Sequence, residues 1–165
     1  MNIDFPIVFL DVDGVLNSHQ YFEEREKHKP DDSDFVRSMK SDIDPEAVKR
    51  LNRICEATNA KIVGSSVWRY GRLYDVLINA LNEYGCKDRV IGITGRGCKS
   101  CVRGNEILQW MKDNIEEYYD FKKYVIIDDD SDMLYWQKDN FVHTSSERGG
   151  LTDEKAEEAI KILLQ

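Results

Sequence analysis

Ile7-Val8-Phe9-Leu10-Asp11-Val12-Asp13-Gly14 carries the strongest structural signal in the chain. Its apolar run is unbroken and ends in a carboxylate. Such a run suits a strand covered on both faces, as in a parallel sheet, rather than one that alternates between core and water. Asp11 then stands at the strand's carboxyl end and a second acid follows two residues later. Gly14 permits a sharp backbone turn that brings Asp13 back over that end.

Similar runs recur along the chain with helical stretches between them. Lys61 to Ser65, Arg89 to Ile93, Tyr124 to Ile127 and Phe141 to Thr144 read as strands. Asp44-Pro45-Glu46 is a helix start, with Asp as N-cap and Pro in the first turn. Val48, Leu51, Ile54 and Cys55 then recur at helical spacing. Leu73 to Tyr84 carries a second stripe closed by Gly85, Ile107 to Ile115 a third, and Thr152 opens a last helix. Alternating strands and helices predict an α/β class with a mostly parallel sheet. The 165 residues suit one domain. Residues 17–43 are polar and without clear period, and read as a small insert or flap over the site.

Hydrophobic residues at 41% and charged residues at 33% suit a chain that buries a core. The net charge of -8 repels long polyanions and argues against non-specific nucleic-acid binding, yet leaves room for a small phosphorylated substrate brought in with a cation. No segment approaches ~20 apolar residues, so no membrane span is expected. The first residues lack the pattern of a secretion signal, and a cytoplasmic location is the expectation. Cys98 and Cys101 have a zinc-like spacing but lack a second pair, so ordinary thiols are expected there as at Cys55 and Cys86.

Two strands end in acids: Asp11 and Asp13 after the first, and Asp128, Asp129 and Asp130 after the fourth. Ligands of open α/β sheets bind beyond the carboxyl ends of strands. If the two strands are neighbours, the carboxylates converge and repel, and a hard cation with oxygen ligands, magnesium, relieves that. An aspartate can attack a phosphoryl group, and a second acid can protonate the leaving oxygen and then activate water. A plainer reading treats such acids as turn and cap residues. Two clusters, each after an apolar strand, favour chemistry.

With these residues the chain resembles the haloacid dehalogenase (HAD) superfamily. Val8-Phe9-Leu10-Asp11-Val12-Asp13-Gly14 fits its first motif, Ile62-Val63-Gly64-Ser65 its second, Arg103-Gly104-Asn105-Glu106 its third (with Lys99 as the other candidate), and Val125-Ile126-Ile127-Asp128-Asp129 its fourth. The run Ser65-Ser66-Val67-Trp68-Arg69 and the segment 103–132 are similar to small HAD domains associated with nucleic-acid repair enzymes. The resemblance implies a Rossmann-like parallel sheet flanked by helices, with a small insert instead of a large cap.

It also implies roles. Asp11 is the expected nucleophile and magnesium ligand. Asp13 is the general acid/base, its carbonyl also on the metal. Ser65 and Arg103 hold phosphoryl oxygens. Asp129 or Asp128 completes the metal site, supported by Asp132. Asp13 points to phosphoryl transfer to water, since the dehalogenases lack a second Asp there. Substrate contacts are expected from Ser66, His19 and Lys99, and from Trp68 and Arg69, which read either as an aromatic and basic edge or, for Trp68, as a side chain packed on the sheet. The expected activity is a phosphomonoesterase for a small phosphorylated substrate. The alternatives are an enzyme acting on nucleic-acid ends or nucleotides, and a binding module without turnover.

Overall fold

Five short strands, β1 (Ile7–Leu10), β2 (Lys61–Gly64), β3 (Val90–Ile93), β4 (Tyr124–Asp128) and β5 (Phe141–His143), pair in parallel in the order β3-β2-β1-β4-β5. The computed structural model describes residues 3–27, 35–95 and 101–165. Among the described residues the α-helices are α1 (His19–Glu26), α2 (Phe35–Lys40), α3 (Pro45–Thr58), α4 (Gly71–Glu83), α5 (Arg103–Asn114) and α6 (Asp153–Leu163). The α/β class expected from the alternation and the Rossmann-like parallel sheet implied by the resemblance are the observed ones.

The unbroken apolar run of β1 has its reason in the layers. Val8 and Leu10 lie in one core cluster with residues of α3, α4 and α6. Ile7 and Phe9 point the other way, into a second cluster built with α5. Phe9 meets Trp110 of α5 edge to face, with ring centroids 5.5 Å apart. All four β1 side chains are buried, so a polar residue anywhere in the strand would be buried without a partner.

The helix boundaries follow local chemistry. The Asp44 carboxylate accepts the Glu46 N–H at 2.9 Å at the start of α3, and Asn59, in the left-handed conformation at φ 55°, ends it. Thr152 caps α6 by accepting the Lys155 N–H. Among the described residues of 17–43 there are two short helices, α1 and α2. Of these, α1 packs on the turn at Ser146–Arg148 and α2 on α4. No helix among the described residues is long and apolar enough to cross a membrane.

Chain order and sheet order diverge at one place. After β1 the chain builds outward through β2 and β3, then α5 carries it back to β4 on the other side of β1. The crevice between the ends of β1 and β4 is therefore the sheet's switch point, where ligands of such folds bind.

Candidate active site

The switch point brings the two acidic clusters together. Leu10 pairs with Ile127, so the next residues, Asp11 and Asp128, emerge side by side. The Asp11 N–H donates to the Ile127 carbonyl at 3.0 Å, extending the sheet by one bond before the loop departs. One carboxylate oxygen each from Asp11, Asp128 and Asp129 lies within 4.8 Å of the others. Asp11 and Asp128 are buried and Asp129 is exposed.

This arrangement is electrostatically costly. Burial pushes the Asp11 carboxyl up to about 6, against the pull of Arg103 and a hydrogen bond from Ser66. Burial and then the Asp11 charge push Asp128 up to about 7, again opposed by Arg103. Burial also raises Asp129. Asp128 Oδ1 accepts the Asp130 N–H at 2.9 Å, while the buried Oδ2 has no hydrogen-bond partner among the described residues. Three converging carboxylates, two raised into the neutral range and one oxygen left over, are the donor set a hard divalent cation takes. The residues fit magnesium.

Arg103 is the cation already present. As the first residue of α5, it is held by its backbone N–H to the Asp132 carboxylate at 2.8 Å. Its guanidinium donates to Asp11 Oδ1 at 3.1 Å and to the Ser65 carbonyl, and its Nε lies 3.7 Å from Asp128. Burial works against its charge, but Asp128 and Asp11 outweigh that and hold it protonated. Ser65 directly follows β2, its N–H donating to the Leu10 carbonyl of β1 at 2.9 Å, and its buried hydroxyl lacks a hydrogen-bond partner among the described residues.

Asp13 is gripped from two sides. Trp68 Nε1 donates to its Oδ2 at 3.0 Å, and Asn17 Nδ2 to its Oδ1 at 3.0 Å. Asn17 also accepts the Gly14 N–H at 2.8 Å, closing the loop on itself. Gly14 sits at φ +72°, and a Cβ there would overlap the Asp129 carboxylate. The loop is fastened from the other side by Thr144, whose hydroxyl donates to the Gly14 carbonyl at 2.9 Å, and by Leu151, whose N–H donates to the Val15 carbonyl.

The expected substrate contacts fare unevenly. Trp68 and Arg69 are not an exposed aromatic and basic edge: both are buried. Trp68 spends its indole N–H on Asp13. Arg69 donates to the carbonyls of Ser65 and Ser66 and pairs with Glu106 at 2.8 Å, which braces the β2 loop against α5. The reason is local: the 3-10 turn Val67–Arg69 directs both side chains inward and leaves Val67 outside. Ser66 is buried, accepts the Trp68 N–H at 3.2 Å and hydrogen-bonds Asp11. His19 is exposed, with Nδ1 2.9 Å from Glu147. It lies with Asp129, His143 and Arg148 on a groove of about 960 Å³ that adjoins the acids. Lys99, Cys98 and His28 lie outside the described residues. Cys101 is disulfide-bonded, which corrects the expectation of an ordinary thiol there; Cys55 and Cys86 are free and buried. Sequence reading did not single out Asn17 or Thr144, although Asn17, three residues past Gly14, has the spacing of a side chain that closes a turn.

Residues 7–156 match the family described as the HAD domain in Swiss Army Knife RNA repair proteins. The chain belongs to this family. Its membership spans the whole sheet and all four motif strands and loops, so this is a HAD-superfamily domain associated with RNA repair, a superfamily of hydrolases and phosphatases. No curated protein and no solved structure shows a significant match to this HAD domain.

Proposed function

We propose that this HAD domain is a magnesium-dependent phosphomonoesterase working through an aspartyl-phosphate on Asp11. The observation that carries the reading is the meeting of Asp11, Asp128 and Asp129 within 4.8 Å, with Arg103 donating to Asp11. Asp11, Asp128 and Asp129, with the Asp13 carbonyl, would hold magnesium, which would supply positive charge against the phosphoryl oxygens and favour the ionised form of Asp11.

The side chains divide the rest of the chemistry. Arg103 and the Ser65 hydroxyl take phosphoryl oxygens and hold phosphorus in line with Asp11. An Asp11 oxygen attacks phosphorus, the bond from phosphorus to the ester oxygen breaks, and Asp13 gives its proton to that leaving oxygen. Asp13 then takes a proton from water. The water oxygen attacks phosphorus, and the bond to Asp11 breaks, releasing inorganic phosphate. Trp68 and Asn17 hold the Asp13 carboxylate in place for both proton transfers. The 17–43 insert contributes His19 to one wall of the adjoining groove.

Small phosphate esters satisfy this chemistry. The family's association with RNA repair favours a second substrate class for the same centre, the terminal phosphate of a nucleic acid. The test is release of phosphate from p-nitrophenyl phosphate and from 3′- and 5′-phosphorylated oligonucleotides, with magnesium or with chelator. Wild type is expected to turn over only with the metal and Asp11→Asn not at all. Equal rates in the two proteins would refute the nucleophile. Metal binding with no hydrolysis of any ester would make the domain a binding module.

A further inference from the structure

We infer that a groove at the far end of α5 is a docking surface for a single-stranded nucleic acid. The groove, of about 400 Å³, is walled by Tyr118, Tyr119 and Trp136 with Lys112 and Lys122, and among the described residues no carboxylate lines it. Lys112 and Lys122 are the charged side chains of that lining. Trp136 is 61% exposed and Tyr119 64%, whereas Trp68 and Trp110 are buried. The neighbouring Tyr135 is 79% exposed, with the Lys138 ammonium 4.7 Å from its ring centroid, and the Lys112 ammonium lies 5.7 Å from that of Tyr118.

Large aromatic side chains with this exposure add little to the core and offer flat faces to water. Bases stack on such faces regardless of sequence, and ammonium groups between them meet the phosphates. Single strands suit the surface better than a duplex, whose bases are already stacked.

The surface is rigidly tied to the candidate active site. Gln137, next to Trp136, is buried and donates to the Gly104 carbonyl at 3.0 Å, while its Oε1 accepts the Leu134 N–H at 2.8 Å. A Cβ on Gly104 would come within 2.5 Å of both Leu134 N and Gln137 Oε1, so the turn packs directly on α5 one residue after Arg103. From Arg103 to Lys112 the helix rises ~14 Å at about 1.5 Å per residue. That is roughly four stacked nucleotides at about 3.4 Å each. A strand whose end lies at Asp11 therefore reaches the aromatic groove with its fourth or fifth nucleotide.

The binding claim stands independently of catalysis; the length claim rests on the proposed phosphatase activity, and two measurements separate them. First, quenching of Trp136 fluorescence is titrated with an unphosphorylated single-stranded RNA of about twelve nucleotides, with single-stranded DNA and duplex RNA as parallel arms. Binding is expected for the single strands and weakly for the duplex. Trp136→Ala, followed by anisotropy of a labelled strand, should weaken it roughly five- to 100-fold, the range for one lost stacking partner. Lys112→Ala with Lys122→Ala should flatten its salt dependence. Second, kcat/KM on phosphorylated oligonucleotides should rise once length passes about five nucleotides, and Trp136→Ala should remove that rise while leaving p-nitrophenyl phosphate turnover unchanged. Single-strand affinity within about twofold of wild type in Trp136→Ala would overturn the inference. So would preferential duplex binding, or self-association that Trp136→Ala abolishes, which would assign the groove to a second copy. Absent ester hydrolysis with intact strand binding would overturn the phosphatase reading alone.

Discussion

Replacing Asp128 by asparagine should stabilise the metal-free protein at alkaline pH while abolishing its response to magnesium. Asp128 is fully buried beside Asp11, and its carboxyl is pushed from 3.8 up to about 7, by burial first and the Asp11 charge second. The folded value lies above the unfolded one, so between about pH 4 and pH 7 the native state keeps a proton that the unfolded chain has released. Stability falls as pH rises through that window, and the full cost is present above it. Each pH unit in the window costs about 1.4 kcal/mol, so its whole width of about three sets a ceiling of roughly 4 kcal/mol. Arg103 loses an ionic neighbour in the variant, its Nε lying 3.7 Å from Asp128, which offsets part of this. A net effect of ~1–3 kcal/mol corresponds to a few to about ten degrees in unfolding temperature for a chain of this size. The assay is thermal unfolding of both proteins at about pH 5 and about pH 8, with chelator and with millimolar magnesium. With chelator, the unfolding temperature of Asp128→Asn relative to wild type should rise from the lower pH to the higher. With magnesium, wild type should gain most at the higher pH, because the cation binds the deprotonated acids, and the variant should gain little. A chelator difference independent of pH, or an equal magnesium gain in both proteins, would refute the electrostatic account of the site.

Asp11→Asn should lower phosphatase kcat by several orders of magnitude with the fold intact, checked by steady-state kinetics beside circular dichroism, since an amide cannot replace the attacking carboxylate. Trp68→Phe keeps the buried ring but removes the donor to Asp13; kcat should fall roughly ten- to 100-fold, and more steeply on alkyl phosphates than on p-nitrophenyl phosphate, whose leaving group needs less protonation. Asn17→Ala removes the other grip on Asp13 and the bond to the Gly14 N–H; its kcat loss should come with ~1–2 kcal/mol of destabilisation by urea unfolding. Gly14→Ala should weaken magnesium binding in a calorimetric titration, because the added methyl displaces Asp129 and the φ of +72° disfavours alanine.

The alternation of strands and helices is readable from local pattern because each signal is local. Ile7 to Leu10 is apolar on both faces because helices cover both. Asp44-Pro45 and Thr152 cap helices through bonds that reach two or three residues along the chain. The same locality makes Asp11, Asp13 and Gly14 legible as a loop at a strand end. What a linear reading cannot decide is which way a side chain turns after the strand. In sequence Trp68 and Arg69 read equally well as an aromatic and basic edge or as a Trp packed on the sheet; one short turn carries both into the interior, where Asp13 and Glu106 meet them.

The class of fold and the two acidic strand ends are thus written in the linear chain, because hydrophobic period and capping chemistry act within a few residues. That those ends are neighbours is a property of the folded molecule alone. Asp11 and Asp128 are separated by most of the chain, and their meeting depends on α5 returning the chain to the other side of β1. That crossover turns two short acidic loops into one charged centre. The raised carboxyls of Asp11 and Asp128, and the pull of Arg103 on both, follow from the few ångströms the sheet leaves between them.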